Sequence, residues 1–211
     1  MSAFLITLVF SGALFFTLYQ YTAVTEDLPS PLELEQMLDP AAGFIKQPTV
    51  IVDRSGRNVL WRYTNRVLPD RECITLSADG DQISGAVSEE MILAALSAAD
   101  PGYLSRTAMS DILAWGNGRE DLAVQLVNDL LLWDDRQNPH HALRGRILAA
   151  QIRARYGKVQ VVEWFLNSAY FGHQIYGVEQ AAQYYFGKSA KSLNLAESAV
   201  LAATLQYPAL N

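Results

Sequence analysis

The chain has 211 residues, 50% of them hydrophobic, and carries 22 acidic against 16 basic side chains for a formal net charge of −6. That balance excludes a nucleic-acid binder that works by phosphate neutralisation, which needs a basic face. A single cysteine, Cys73, excludes an intrachain disulfide. The length suits one compact domain plus an accessory segment, and the hydrophobic excess sits at the front.

Residues 3–24 contain no charged side chain and are long enough to cross a hydrocarbon layer of about 30 Å as a helix. No Lys or Arg precedes them, so the basic n-region of a cleaved signal peptide is missing, and residues 1–25 are read as a retained transmembrane anchor. Tyr19 and Tyr21 fall at its outer interface. The flanks are neutral before and acidic after (Glu26, Asp27), so loop charge does not set the orientation.

Residues 26–85 form a juxtamembrane region. Ser30-Pro31-Leu32-Glu33 combines an N-cap serine, proline at the first helical position and a glutamate three residues after the cap, which predicts a short helix over 31–38. TVIVD and NVLWRY, separated by Arg54-Ser55-Gly56-Arg57, predict a β-hairpin. Glu72 to Leu76 is expected to add a strand, with Cys73 half-buried in it. From Ser88 the pattern is helical. Ser88 caps a helix to Ala99, ended by Asp100-Pro101-Gly102 because the residue before proline avoids the helical region. Further helices are expected over 121–133, over 143–156 with Leu148, Ile152 and Tyr156 on one stripe, and over Val159–Asn167. Asn194 and Glu197 predict a capping box opening the last helix.

Between Phe165 and Leu205 the chain reads Leu166-Asn167, Tyr170-Phe171-Gly172, Tyr176-Gly177, Glu179, Ala181-Ala182, Tyr185-Phe186-Gly187-Lys188, Leu193, Leu195 and Glu197 in order. This resembles the closing half of the bacterial peptidoglycan glycosyltransferases, glycosyltransferase family 51. The phrase Asp53 to Leu60 resembles the segment that joins anchor and domain in the same family. The resemblance implies a mainly α, lysozyme-like domain over 86–211, outside the cytoplasm and preceded by one transmembrane helix and a small β-hairpin. It places the chain in a bacterial cytoplasmic membrane as a single-pass protein. In that family a penicillin-binding protein continues into a transpeptidase domain; the chain stops near Asn211, so no acyl transfer is expected.

Joining sugars from a lipid-diphosphate donor needs a carboxylate base for the acceptor hydroxyl and cations for the departing diphosphate. The family base is the Glu of an Ala-Thr-Glu-Asp-x-x-Phe-x-x-His phrase, which matches Ser97 to Arg106 here, and its position holds Ala99. Asp100 is a weak substitute, since its helical neighbour direction differs by about 100°. The donor-cleft phrase matches Gly118 to Asp129, keeping Gly118, Gln125 and Leu126 but placing Asn128 at the lysine. The second family glutamate matches Gly145, and no acid lies between Arg136 and Gln160. The pairs Arg144 with Arg155 and Arg146 with Arg153 are read as solvated helical faces with phosphate contact as the alternative.

The resemblance offers Gln125, Asn167, Tyr170, Gly172, Tyr176 and Glu179 as residues of a ligand site. The plainer reading makes Glu179 a local hydrogen-bonding group, Glu163 a solubilising helix residue, and the aromatics from Tyr170 to Phe186 core. His140 and His141 lack partners spaced for a metal; no metal and no cofactor are expected. The expected function is a binding or scaffolding subunit of a membrane or envelope assembly, without catalysis, its partners being the membrane, other membrane subunits and a lipid-linked glycan. The alternative is an active glycosyltransferase with relocated carboxylates at Asp100, Glu120 or Asp121. A lytic transglycosylase or lysozyme ranks last because its glutamate would also fall at Ala99.

Overall fold

The computed structural model describes residues 2–40, 43, 49–63, 71–79, 82–106 and 121–207. The protein is mainly helical, with two small antiparallel hairpins. Helix α1 (Ser2–Thr25) is an apolar rod that meets the rest of the protein at its C-terminal end, where Val24 is buried. Its large side chains are exposed, from Phe4 and Phe10 through Phe15 and Phe16 to Tyr19 and Tyr21. Among the described residues it is the one helix long and apolar enough to cross a membrane. Ser11, Thr17, Thr22 and Thr25 satisfy their hydroxyls within the helix: Thr17 donates to the Ala13 carbonyl at 2.8 Å and Thr22 to that of Tyr19 at 2.8 Å. Internal satisfaction of this kind is what a lipid environment demands.

Helix α2 (Pro31–Leu38) starts with the expected capping box between Ser30 and Glu33 and buries Leu34 and Leu38. Strands β1 (Thr49–Val52) and β2 (Val59–Tyr63) form the expected hairpin, with a register shift at Ile51/Val52. The expected strand over 72–76 is displaced. Strand β3 begins at Leu76 and runs to Asp79, and it pairs with β4 (Gln82–Gly85) in a second hairpin. Cys73 is half-buried but outside any strand. The cause is competition for backbone groups: the Asn167 carboxamide takes both polar groups of Ile74, and the Glu163 carboxylate takes the Leu76 N–H.

Five longer helices build the core. Ser88 caps α3 (Glu89–Ala99), and Asp121 caps α4 (Leu122–Leu130), which ends earlier than the periodicity suggested, before a 3₁₀ turn at Asp135–Gln137. Helix α5 (His141–Ser168) is two helices meeting at Gly157, whose φ of 78° lies in the left-handed region that glycine tolerates. This is the break expected between residues 156 and 159. Helices α6 (Val178–Phe186) and α7 (Leu195–Gln206) follow, the latter opened by the Asn194–Glu197 capping box. Helix α3 packs along α7, and α4 packs along α5. Met91, Leu96, Leu126, Leu148, Ile152, Leu166, Phe171 and Leu201 meet in one buried cluster that also takes Leu34 and Leu38 from α2.

Candidate functional site

The residues that the resemblance aligns with the family's catalytic phrases lie at the end of α3 (Ala99), near the end of α4 (Asn128) and in the first turns of α5 (Gly145). Ala99 is the last residue of α3 and packs against the core. Asp100 caps that helix and is buried. Its Oδ1 accepts from Arg106 Nη1 at 2.8 Å, its Oδ2 accepts from Arg106 Nη2, and the Leu122 N–H approaches Oδ2 at 3.4 Å. A carboxylate clamped bidentately by a guanidinium has little lone-pair capacity left for a substrate proton.

The pairing extends across the site. Arg106 Nη2 lies 3.9 Å from Asp121 Oδ2, and Arg153 on α5 donates to the same carboxylate. The side chains of Asp100, Arg106, Asp121 and Arg153 are 2%, 21%, 16% and 15% exposed, so two acids and two bases neutralise one another inside the protein. Lys158 donates to the carbonyls of Leu104 and Arg106, which ties α5 to the segment after α3. Arg153 is therefore not on a solvated face, contrary to the expectation from helical spacing. Glu120 and Gly118 lie outside the described residues.

About two helical turns along, α4 and α5 close on each other at Gly145, the position that the resemblance aligns with the second family glutamate. A Cβ at Gly145 would lie 2.6 Å from Asn128 Oδ1 and 3.6 Å from Val124 Cγ1. Asn128 Oδ1 is buried without a hydrogen-bond partner among the described residues. Glycine at 145 and asparagine at 128 are thus a packing pair: the amide occupies the volume that a side chain at 145 would enter.

Arg144 also departs from the solvated-face expectation. Its side chain is buried, and Nη1 donates to the carbonyls of Val24 at 2.8 Å and Glu26 at 3.1 Å, while Nη2 reaches that of Asp27 at 3.4 Å. Its Nε donates to Asp135 Oδ2 at 2.9 Å. The free carbonyls at the C-terminus of α1 are capped by a cation 120 residues away in sequence. No local sequence pattern signals this contact.

The residues expected to line a ligand site are divided among several jobs. Asn167 pairs with the backbone of Ile74, donating to O at 2.9 Å and accepting from N at 2.8 Å. Glu163 is buried rather than solubilising, and accepts from Leu76 N at 2.6 Å and Gln160 Nε2 at 2.7 Å. Glu179 accepts from Ala190 N at 2.8 Å, from the Ser189 hydroxyl at 3.2 Å and from Gln183 Nε2 at 3.2 Å. Tyr170, Gly172 and Tyr176 come together in one turn. Tyr170 and Tyr176 bridge across it with ring centroids 4.8 Å apart, and the Arg71 guanidinium sits 5.1 Å over Tyr176. The core expectation holds for Phe171, which is fully buried, whereas Tyr170, Tyr176 and Tyr184 stay exposed. Gln125 lies half-buried on α4. A groove of about 720 Å³ lies at the opposite end of α3, lined by Ile83, Ser88, Glu89, Glu90 and Lys191 among others. Ala99, eleven residues along the helix, is about 16 Å away from that end at about 1.5 Å per residue. His141 Nδ1 lies 3.7 Å from Asp135, and among the described residues no His, Cys, Asp and Glu cluster could hold a metal.

Residues 87–211 match the family described as Transglycosylase. Over 162 residues, 75% of the chain, it is 32% identical to penicillin-binding protein 1F of Bacillus subtilis, covering 22% of that protein. It is 41% identical over 91 residues to the biosynthetic peptidoglycan transglycosylase of Shewanella denitrificans, and 42% identical over 91 residues to that of Shewanella frigidimarina. These matches take in 43% of this chain and 39% and 40% of the two relatives. The chain therefore spans well under half the length of each. With the match running from the start of α3 through α7, and the ordered phrases from Leu166 to Glu197 lying on the elements that build the core, the chain belongs to the transglycosylase family, glycosyltransferase family 51.

Proposed function

We propose that this protein is a catalytically inactive member of its family, a membrane-anchored transglycosylase-like domain that acts by binding or scaffolding within an envelope assembly. It is a single-pass protein of the cytoplasmic membrane, anchored by α1, with its C-terminal domain on the extracytoplasmic side. The observation that carries the reading is the closed charge network at the end of α3. The acid nearest the family base is held by both oxygens on Arg106, and the base position itself is an alanine.

The chemistry follows from what glycosyl transfer requires. The acceptor hydroxyl must lose a proton as it attacks, and a positioned base contributes roughly 10²–10⁴ in rate. Ala99 offers no acceptor, and Gly145 replaces the second carboxylate. The diphosphate leaving group needs free cations, but Arg106 and Arg153 are committed to Asp100 and Asp121, and Arg144 to the anchor carbonyls and Asp135. What remains is a rigid domain at the membrane surface with an exposed aromatic turn around Tyr170 and Tyr176, suited to holding a lipid-linked glycan or a neighbouring subunit.

The test is polymerisation of lipid-linked disaccharide-pentapeptide by the purified full chain in detergent or vesicles. No glycan strands are expected above a no-protein control, and robust strands end the proposal. The competing reading, an active enzyme with relocated carboxylates, draws on the names of the relatives, which include biosynthetic peptidoglycan transglycosylases. It requires turnover that disappears when Asp100, Glu120 or Asp121 is replaced by alanine.

A further inference from the structure

The junction between α1 and the domain fixes the height of one loop against the membrane. Helix α1 has 24 residues, about 36 Å at about 1.5 Å per residue, against a hydrocarbon core of about 30 Å and about 40–45 Å with headgroups. Its last turn therefore leaves the bilayer at the outer headgroup level. Val24 in that turn is buried, and Arg144 grips the carbonyls of Val24, Glu26 and Asp27 while its Nε holds Asp135 at 2.9 Å. Asp135 is thus one guanidinium width from the end of the anchor. Trp133 stands two residues before it, and its 65% exposure is notable for an indole in a loop whose neighbours Leu131 and Leu132 are buried. Two residues of chain span at most about 7 Å, so Trp133 cannot lie far above the level at which α1 emerges.

We infer that the loop between α4 and α5, residues 131–140, is a second membrane contact, with the Trp133 indole seated in the headgroup layer of the leaflet that α1 leaves. Tryptophan suits that place because its apolar body and N–H tip match the two sides of the interface. Tyr21, three residues before Val24 and exposed on α1, lies about one turn deeper and forms the other half of the same aromatic belt. The surrounding charges are mostly acidic: Glu26, Asp27, Asp129 and Asp134, against Arg136. The contact is therefore made by apolar partition and not by attraction to anionic lipid, and it holds on a zwitterionic bilayer. Two attachments, helix and loop, fix how the domain faces the membrane. The inference does not rest on the loss of catalysis.

The experiment is site-directed spin labelling of the full chain in phosphatidylcholine vesicles, in a Cys73→Ser background. Labels go at Trp133→Cys, at Tyr19→Cys as the interfacial reference and at Val200→Cys, exposed on α7, as the aqueous reference. The label at 133 should show collision with a water-soluble nickel chelate reduced several-fold relative to Val200, and collision with oxygen approaching that of Tyr19. Asp134→Cys gives the same reading should Trp133→Cys fail to fold. Nickel access at 133 and 134 equal to that at Val200 overturns the inference. So does protection that vanishes in nanodiscs holding one copy, which would assign this face to a second copy of the chain.

Discussion

The closing half of the domain and the region where α3, α4 and α5 meet keep different parts of the family pattern. From Glu163 to Glu197 the matching residues hold the protein together. Asn167 and Glu163 capture the backbone of Ile74 and Leu76, Glu179 anchors the 3₁₀ turn at Ala190–Ser192, and Lys188 pairs with Glu197 at 2.8 Å. At the ends of α3 and α4 and the start of α5, the chain holds Ala99, Asn128 and Gly145, and the charges of Asp100, Arg106, Asp121 and Arg153 pair internally. The difference teaches that buried polar members of a family phrase carry folding energy, because an unsatisfied buried polar group costs about 1–3 kcal/mol.

Four perturbations sharpen or break this contrast. The largest effect is expected at the anchor junction. Arg144→Ala strands Asp135 and three carbonyls, with the Arg144 side chain 8% and Asp135 18% exposed. Breaking such a buried pair should cost about 3 kcal/mol, read as a shifted denaturation midpoint in detergent. A shift within error would mean that the joint carries no stability. Next, Asn167→Ala leaves both polar groups of Ile74 unpaired and should cost about 2–3 kcal/mol. A neutral result, combined with weakened glycan binding, would move Asn167 from scaffold to site.

A smaller effect is expected where α4 packs on α5. Gly145→Ala forces the Asn128 amide aside and should cost about 1–2 kcal/mol. In the Asn128→Ala background most of that cost should vanish, since contacting residues are non-additive; strict additivity would deny that they are a packing pair. The smallest effect lies in the first hairpin. The Ser55 hydroxyl, followed by the Asn58 amide, lowers the Asp53 carboxyl from 3.8 to about 2. Because the folded value is depressed, its contribution is complete above about 3.8 and is lost as pH falls through about 2, leaving the range from pH 5 to 8 flat. Carboxyl ¹³C titration of the intact protein should place the midpoint near 2, and a midpoint near 3.8 would show that the turn is not closed by Asp53.

Much of the fold was legible because its signals are local. The capping boxes at Ser30–Glu33 and Asn194–Glu197, the Ser88 cap and the break around Gly157 each depend on residues within a turn of one another. The second hairpin was legible in principle, since Gly80-Asp81 is a hairpin-turn dipeptide followed by Gln82-Ile83-Ser84 alternation. Its start was not, because Asn167 and Glu163, some 90 residues on, decide which backbone groups of 74–76 remain for pairing. The arginines of α5 show the same limit. Spacing groups Arg144 with Arg155 and Arg146 with Arg153, but whether a guanidinium faces water depends on Asp121, Asp135 and the end of α1.

The sequence by itself determined the anchor, the helical domain and the family, because composition, periodicity and residue identity are properties of neighbours along the chain. Only the tertiary structure decided that Asp100 is clamped by Arg106, that Asn128 fills the space beside Gly145 and that Arg144 caps the membrane helix. Those outcomes depend on which charges and volumes meet when distant segments pack, and electrostatic pairing and close packing act through space rather than along the backbone.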